Sequence, residues 1–213
     1  VLYTYKMTKQ ELLDKWYARK FSWSQLSSFR DYDKQDWYDS YVLGIKKPPN
    51  ARMEFGSRVG KKLETDPNFL PEIPREGVME YGVEVSLGKI PLTGFMDSFC
   101  KDKLIINEFK TSSPNGWSQS KVDSHQQLDF YALLLYLKHK IKPEDITIRL
   151  HHLHTQENND FTISLTNPVI ITTYETKRTL LQVLKFAAEI KKIRKEMIKY
   201  IESYTLDQSP KQV

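Results

Sequence analysis

The stretch between residues 78 and 109 constrains the fold more than any other, because the apolar period there changes from helical to alternating. Val83 and Val85, residues 90–99 and residues 104–109 form three short apolar runs, separated by Leu87-Gly88-Lys89 and Lys101-Asp102-Lys103. Strand side chains alternate faces, and such breaks turn the chain back, so the segment predicts a three-stranded antiparallel meander. The last run ends unusually: Leu104-Ile105-Ile106 leads directly into Asn107-Glu108-Phe109-Lys110. Residues two apart share a strand face, so Glu108 and Lys110 project together. Pairing about the Lys101-to-Lys103 turn sets Asp97 opposite or diagonal to Glu108.

The flanking segments read as helices and further strands. Thr8 and Glu11 form a capping-box pattern ahead of Leu12, Leu13, Trp16 and Tyr17, which predicts a helix over 8–19. Residues 22–43 continue helically, with Ser24 as a cap, Leu26, Phe29 and Trp37 as core candidates and Gly44 as the stop. Pro48-Pro49 then interrupts regular structure. Residues 52–64 read as a helix despite Gly56 and Gly60, and 120–138 as a buried helix. Residues 146–154 and 160–165 read as strands, and 168–205 as one long amphipathic helix. This order predicts a single α/β domain over 1–213, with a helical N-terminal segment over 1–47 and no internal repeat.

Composition narrows the chemistry. The net charge of +5 favours an anionic partner such as nucleic acid. A single cysteine, Cys100, excludes an internal disulfide and a Cys-rich zinc or iron-sulfur site, and fits a reducing compartment. No apolar run approaches the roughly 20 residues that span a bilayer, and the N-terminus lacks a signal-peptide core. A soluble cytoplasmic protein with no membrane partner is expected, in the host-cell cytoplasm if the source is viral.

Two carboxylates at the positions of Asp97 and Glu108 make a hard-oxygen site suited to Mg²⁺ or Mn²⁺, and a metal there lowers the pKa of bound water and neutralises charge on a phosphate. Lys110 beside them orients the nucleophile or stabilises the transition state. A solvated cross-strand salt bridge is the alternative. Against it, charges that close an apolar run such as Leu-Ile-Ile are costly unless they act together. His151, His152 and His154 suggest zinc, but a structural zinc site needs four ligands, so they are expected on the strand surface, with one facing nucleic acid. The lysines and Arg194 of residues 185–199 alternate with Glu189 and Glu196, as on a solvated helix face.

Three motifs in order carry a resemblance. Gly94-Phe95-Met96-Asp97, then Glu108-Phe109-Lys110-Thr111, then Gln127-Leu128-Asp129-Phe130-Tyr131 resemble the Gly-x-x-Asp, (Asp/Glu)-x-Lys-Thr and Gln-x-x-x-Tyr elements of one family. They are those of the RecB-like, phage-type exonuclease branch of the PD-(D/E)xK nucleases, without the iron-sulfur cluster. The resemblance implies a restriction-endonuclease-like α/β core, a central mixed β-sheet flanked by helices. It also implies a Mg²⁺-dependent (or Mn²⁺-dependent) deoxyribonuclease, an exonuclease or DNA-end-processing enzyme of recombination, repair or phage replication. Asp97, Glu108, Lys110 and Gln127 would be catalytic, with Gln127 on the phosphate or attacking water and Tyr131 lining the DNA side. One position departs: Gly60 stands where the family's helix usually carries a metal-binding His. Glu64, one turn further, either takes over as metal ligand beside Asp97 and Glu108 or is a solvated helix-terminal residue. The alternative function is a non-catalytic DNA-binding or assembly subunit. RNA as substrate, a protein partner and a homo-oligomer stay open.

Overall fold

The computed structural model describes residues 8–203. The N-terminal third is helical. Helix α1, Lys9–Ala18, opens with the expected capping box, in which the Glu11 amide is bound by the Thr8 hydroxyl and the Glu11 carboxylate by the Thr8 amide. Helix α2, Trp23–Asp31, is capped by Ser22 rather than Ser24, because the Ser22 amide donates to Gln25 Oε1. Helix α3, Lys34–Tyr38, continues as a π-helical turn over Asp39–Leu43 and stops at Gly44, whose φ of +75° lies in the left-handed region that glycine tolerates. Trp37 packs edge-to-face on Phe29 and at a tilt on Trp16 in this segment, each essentially excluded from water. Backbone hydrogen bonds of Phe21 to Pro91 and Thr93 pin it to the sheet.

Helix α4, Ala51–Thr65, leads to the meander of β1, Val78–Leu87, β2, Ile90–Cys100, and β3, Ile105–Ser112. The alternation in the sequence predicted all three. Beyond β3, two helices stand where one was expected: α5, Gln119–Asp123, and α6, Gln126–His139. A helical turn over Pro143–Asp145 leads into β4, Thr147–Glu157, which runs parallel to β3. Strand β5, Ile163–Leu165, pairs with the end of β4, and β6, Ile171–Thr176, with its beginning. The result is a mixed six-stranded sheet with helices on both faces. Helix α6 covers β1 and β2 and is itself covered by α7, Leu180–Ser203, while α4 lies against β3 and β5.

The expected helix over 168–205 therefore begins twelve residues late, at Leu180. Residues 171–176 read Ile-Thr-Thr-Tyr-Glu-Thr, and their β-branched side chains suit the pleated edge that β4 offers. The lysines of α7 are exposed, as its charge pattern implied. Residues 1–7 of the expected N-terminal segment, and Tyr204 and Thr205 of the expected helix, lie outside the described residues. Among the described residues, no helix is long and apolar enough to cross a membrane.

Two close contacts place the elements that matter most. A Cβ on Gly94 would meet Leu134 Cδ1 at 2.6 Å and Phe130 Cε1 at 3.1 Å, so the missing side chain lets α6 lie directly on β2, three residues before Asp97. The second is Arg178, buried between β6 and α7. Its guanidinium donates to Asp129 of α6, to Thr176 Oγ1 at 2.8 Å and to the carbonyls of Val122 and His125 at 3.0 and 3.3 Å. It thereby adds a second donor to carbonyls at the break between α5 and α6, which also accept from the His125 and Leu128 amides. Arg178→Met is expected to lower stability by about 3–5 kcal/mol, since it strands the Asp129 carboxylate in a buried setting. Adding Asp129→Asn should recover part of that loss, which urea unfolding of both variants measures.

Candidate active site

The β2–β3 ladder pairs Ser98 with Asn107, and one further step of that register sets Asp97 opposite Glu108. Where the ladder ends, the Phe109 amide donates to Asp97 Oδ2 at 2.6 Å. Lys110 lies on the Glu108 side of β3, with Nζ 2.6 Å from Glu108 Oε1. The same ammonium donates to Gln127 Oε1 at 3.1 Å, and Gln127 Nε2 donates to the Tyr131 hydroxyl at 2.6 Å. Gln127 and Tyr131 are one turn apart on α6 and so share the face that Gly94 brings down onto the sheet. Five residues singled out in the sequence thus form one connected cluster.

Its electrostatics are tense. Burial, reinforced by the charge of Glu108, pushes the Asp97 carboxyl up to about 8, against the opposing pull of Lys110 and the Phe109 amide. Burial works against the Lys110 charge, yet Glu108 and Asp97 together raise it above the ordinary lysine value. Burial, with the same two carboxylates, holds the Tyr131 phenol protonated well beyond its usual range. Glu108 is only 1% exposed, and its Oε2 has no hydrogen-bond partner. A buried carboxylate oxygen without a donor, beside a second carboxyl that resists ionisation, is a donor set that a divalent cation completes. Among the described residues no group of three His, Cys, Asp or Glu side chains converges on one point, so the pair Asp97 and Glu108 would hold the ion, with water and phosphate oxygens filling the remaining positions.

Glu64 of α4 lines the same cavity as Asp97 and Lys110 and is paired with Lys61 at 2.8 Å. A Cβ on Gly60 would meet nothing within 4 Å, so open space stands where the family His would project. Glu80 lines this cavity too and was not singled out in the sequence. It falls opposite Asp97 in the β1–β2 register, at a φ of +49°, and burial together with the charges of Glu64 and Glu108 raises its carboxyl. The only sequence signal was its register position across from Asp97. His125, likewise missed, precedes α6 and places Nε2 3.3 Å from Gln127 Oε1. Burial first, then the charge of Lys110, lowers it to about 4, so it is a neutral ring.

Two of the three β4 histidines depart from expectation: His151 and His152 are buried rather than on the strand surface, while His154 is half-buried. The reason is that β6 and β3 flank β4 on both edges. His151 Nδ1 lies 3.0 Å from Thr173 Oγ1 and Nε2 3.0 Å from Asn107 Oδ1, while Asn107 Nδ2 donates to Ser98 Oγ at 3.0 Å. An amide oxygen only accepts, so Nε2 carries the ring proton and Nδ1 accepts from threonine. This buried chain crosses β6, β4, β3 and β2 and ends on the neighbours of Glu108 and Asp97. His152 bonds to Ser112 Oγ at 2.8 Å and stacks on His154, with ring centroids 4.3 Å apart.

The family model of the PD-(D/E)XK nuclease superfamily matches residues 62–210, which include every residue of the cluster. The chain belongs to this superfamily. Among solved structures, a candidate exonuclease from Eubacterium rectale superimposes on this nuclease-family chain with a TM-score of 0.59 at 9% identity, covering 96% of this chain and 88% of its own. A phage related exonuclease from Haemophilus somnus does so with a TM-score of 0.55 at 12% identity, covering 91% and 94%. At these identities the likeness is one of fold, and it agrees with the mixed sheet and flanking helices of the PD-(D/E)XK core. No curated protein matches the chain.

The buried histidine ties stability to acid. Burial, then the charge of Arg149, lowers His151 to about 4 from the model-peptide value of 6.5. Between those two pH values the unfolded chain binds a proton that the folded chain refuses, so stability rises with pH across that window and is lost on acidification. The effect is at most about 3 kcal/mol. His151→Gln should make the urea midpoint fall less steeply between about pH 6.5 and 4.

Proposed function

We propose that this chain is a divalent-metal-dependent deoxyribonuclease that hydrolyses phosphodiester bonds at DNA ends, in recombination, repair or phage replication. The observation that carries the reading is the connected cluster of Asp97, Glu108, Lys110, Gln127 and Tyr131, with the unpartnered Glu108 Oε2 at its centre. Two exonuclease-described structures of the same fold support the choice of exonuclease. The whole chain is taken as one nuclease domain.

In this reading, Asp97 and Glu108 would hold Mg²⁺ or Mn²⁺, and the ion when bound would supply acidification of a water and neutralisation of phosphate charge. Water oxygen bonds to phosphorus and releases its proton to solvent, the ester P–O bond breaks, and the leaving oxygen takes up a proton from solvent. Lys110, kept cationic by the two carboxylates, stands beside the phosphate and stabilises the charge that builds on its oxygens. Gln127 fixes the Lys110 ammonium through its carbonyl and the Tyr131 hydroxyl through its amide, so both point into the site. Tyr131, held protonated, would line the DNA side of the site. Glu64 and Glu80 add negative charge to the same cavity and strengthen its hold on cations.

The test is incubation of linear and covalently closed DNA, single- and double-stranded, and of RNA, with Mg²⁺ or Mn²⁺. Linear DNA should be degraded only with metal, and Lys110→Ala should lower kcat about 10²- to 10³-fold. Cleavage indifferent to Lys110→Ala overturns the assignment. DNA binding with no cleavage in any metal favours the non-catalytic subunit, the reading that the vacant position at Gly60 supports.

A further inference from the structure

Lysine and glutamate alternate along the sequence of α7, but the folded helix separates them. Glu189 is drawn toward α2 and α6, where its carboxylate accepts from Arg30 at 3.1 Å and from Gln126 Nε2 at 3.0 Å. Lys185, Lys192, Lys195 and Lys199 are exposed and follow one another by seven, three and four residues, which are whole turns of helix. They therefore form a single stripe, bordered by Lys191. Among the described residues none of these five ammonium groups has an ion-pair or hydrogen-bond partner, and between 185 and 199 Glu196 is the one exposed carboxylate of the helix.

The chemistry of the stripe selects among partners. From Lys185 to Lys199 it runs about 21 Å, the axial length of about six base pairs of duplex. Its charges are not cancelled by neighbours, so they add to one positive field. The opposite face of α7, with Val183, Phe186, Ile190, Ile193 and Met197, is buried against the rest of the molecule, and no apolar side is left to enter a bilayer. Ala188 is the one apolar residue exposed within the stripe, whereas the core of a protein interface is rich in large apolar and aromatic anchors and poor in lysine. A phosphate backbone needs no such anchor. The stripe also passes the end of α6 that carries the cluster, since Glu189 meets Gln126, the neighbour of Gln127. It lies one helix layer further out, on the order of 15–20 Å from Lys110, so a nucleotide in the site does not reach it and a flanking duplex does.

We propose that the outer face of α7 is a second DNA-contact surface, which grips the phosphate backbone of the duplex flanking the cleaved end through Lys185, Lys192, Lys195 and Lys199. The assignment rests on the nuclease reading of the Asp97–Glu108–Lys110 cluster and adds to it a dependence on substrate length that the cluster alone does not produce. Contact with backbone only makes this grip indifferent to base sequence.

The experiment is fluorescence anisotropy of a labelled duplex of about 30 base pairs, titrated in EDTA over a salt series, where no cleavage competes. The combined changes Lys185→Gln, Lys192→Gln, Lys195→Gln and Lys199→Gln should reduce the slope of log Kd against log salt by about 3 to 4 and weaken binding about tenfold or more at about 0.1 M salt. The control is the same change at Lys89, Lys101, Lys138 and Lys140, four exposed lysines outside α7, which removes equal net charge and should leave the slope in place. With Mg²⁺, the α7 variant should raise KM on the long duplex about tenfold while kcat and the cleavage of a thymidine trinucleotide stay unchanged. An α7 variant whose salt slope matches that of the control overturns the proposal, as does one that keeps its DNA affinity and loses binding to phosphatidylserine vesicles. Metal-dependent cleavage with an unaltered slope removes the surface and leaves the nuclease reading, whereas a reduced slope without cleavage in any metal does the reverse.

Discussion

The Glu108–Lys110 ion pair is the constraint to which much of this structure answers. A carboxylate that is 1% exposed at the end of an apolar strand is stable only when counter-charge and donors are built around it. Lys110 meets one oxygen, and the other has no protein partner. The neighbouring Asp97 is held by a backbone amide yet still resists ionisation, because burial disfavours its charge and Glu108 adds further negative charge beside it. In the proposed reading the cluster accepts a cation, and its tension suits a site arranged for binding more than for the stability of the empty fold.

The scaffold supports that cluster from three directions. From above, the absent side chain at Gly94 lets α6 approach β2, so that Gln127 and Tyr131 reach Lys110. At the N-terminal end of α6, Arg178 binds the carbonyls of Val122 and His125 and the carboxylate of Asp129, which fixes the break between α5 and α6. Beneath, the chain from Thr173 through His151 and Asn107 to Ser98 ties together β6, β4, β3 and β2 beside the two acids. The last two supports use buried polar groups that are satisfied in one geometry only, and that is how a sheet holds side chains to fractions of an ångström.

Much of this was legible in the chain itself. The period-two alternation gave the meander, and the i, i+2 and i, i+4 spacings put Glu108 with Lys110 and Gln127 with Tyr131. The capping box of Thr8 and Glu11 was readable because it is a contact between residues three apart. The failures share a cause. Strand β6 was absorbed into a long helix because an isolated run of Ile, Thr and Tyr becomes a strand only when an edge such as β4 is available to pair with it. The β4 histidines were placed on the surface because nothing near them in the chain shows that β3 and β6 will flank them. Glu80 and His125 carry no motif, and only register and packing bring them to the cavity and to Gln127.

What the sequence determined by itself was local: which residues share a face, where helices are capped, and which charges terminate an apolar strand. Those relations depend on backbone periods that every chain obeys. Tertiary structure alone decided the rest. It set how far Asp97 is pushed from its ordinary ionisation and which Glu108 oxygen lacks a donor. It also left the space at Gly60 open, in a cavity that Asp97 and Lys110 line. Burial and cavity shape are sums over elements distant in the chain, so they exist only once α4, α6 and the sheet have closed around the same point.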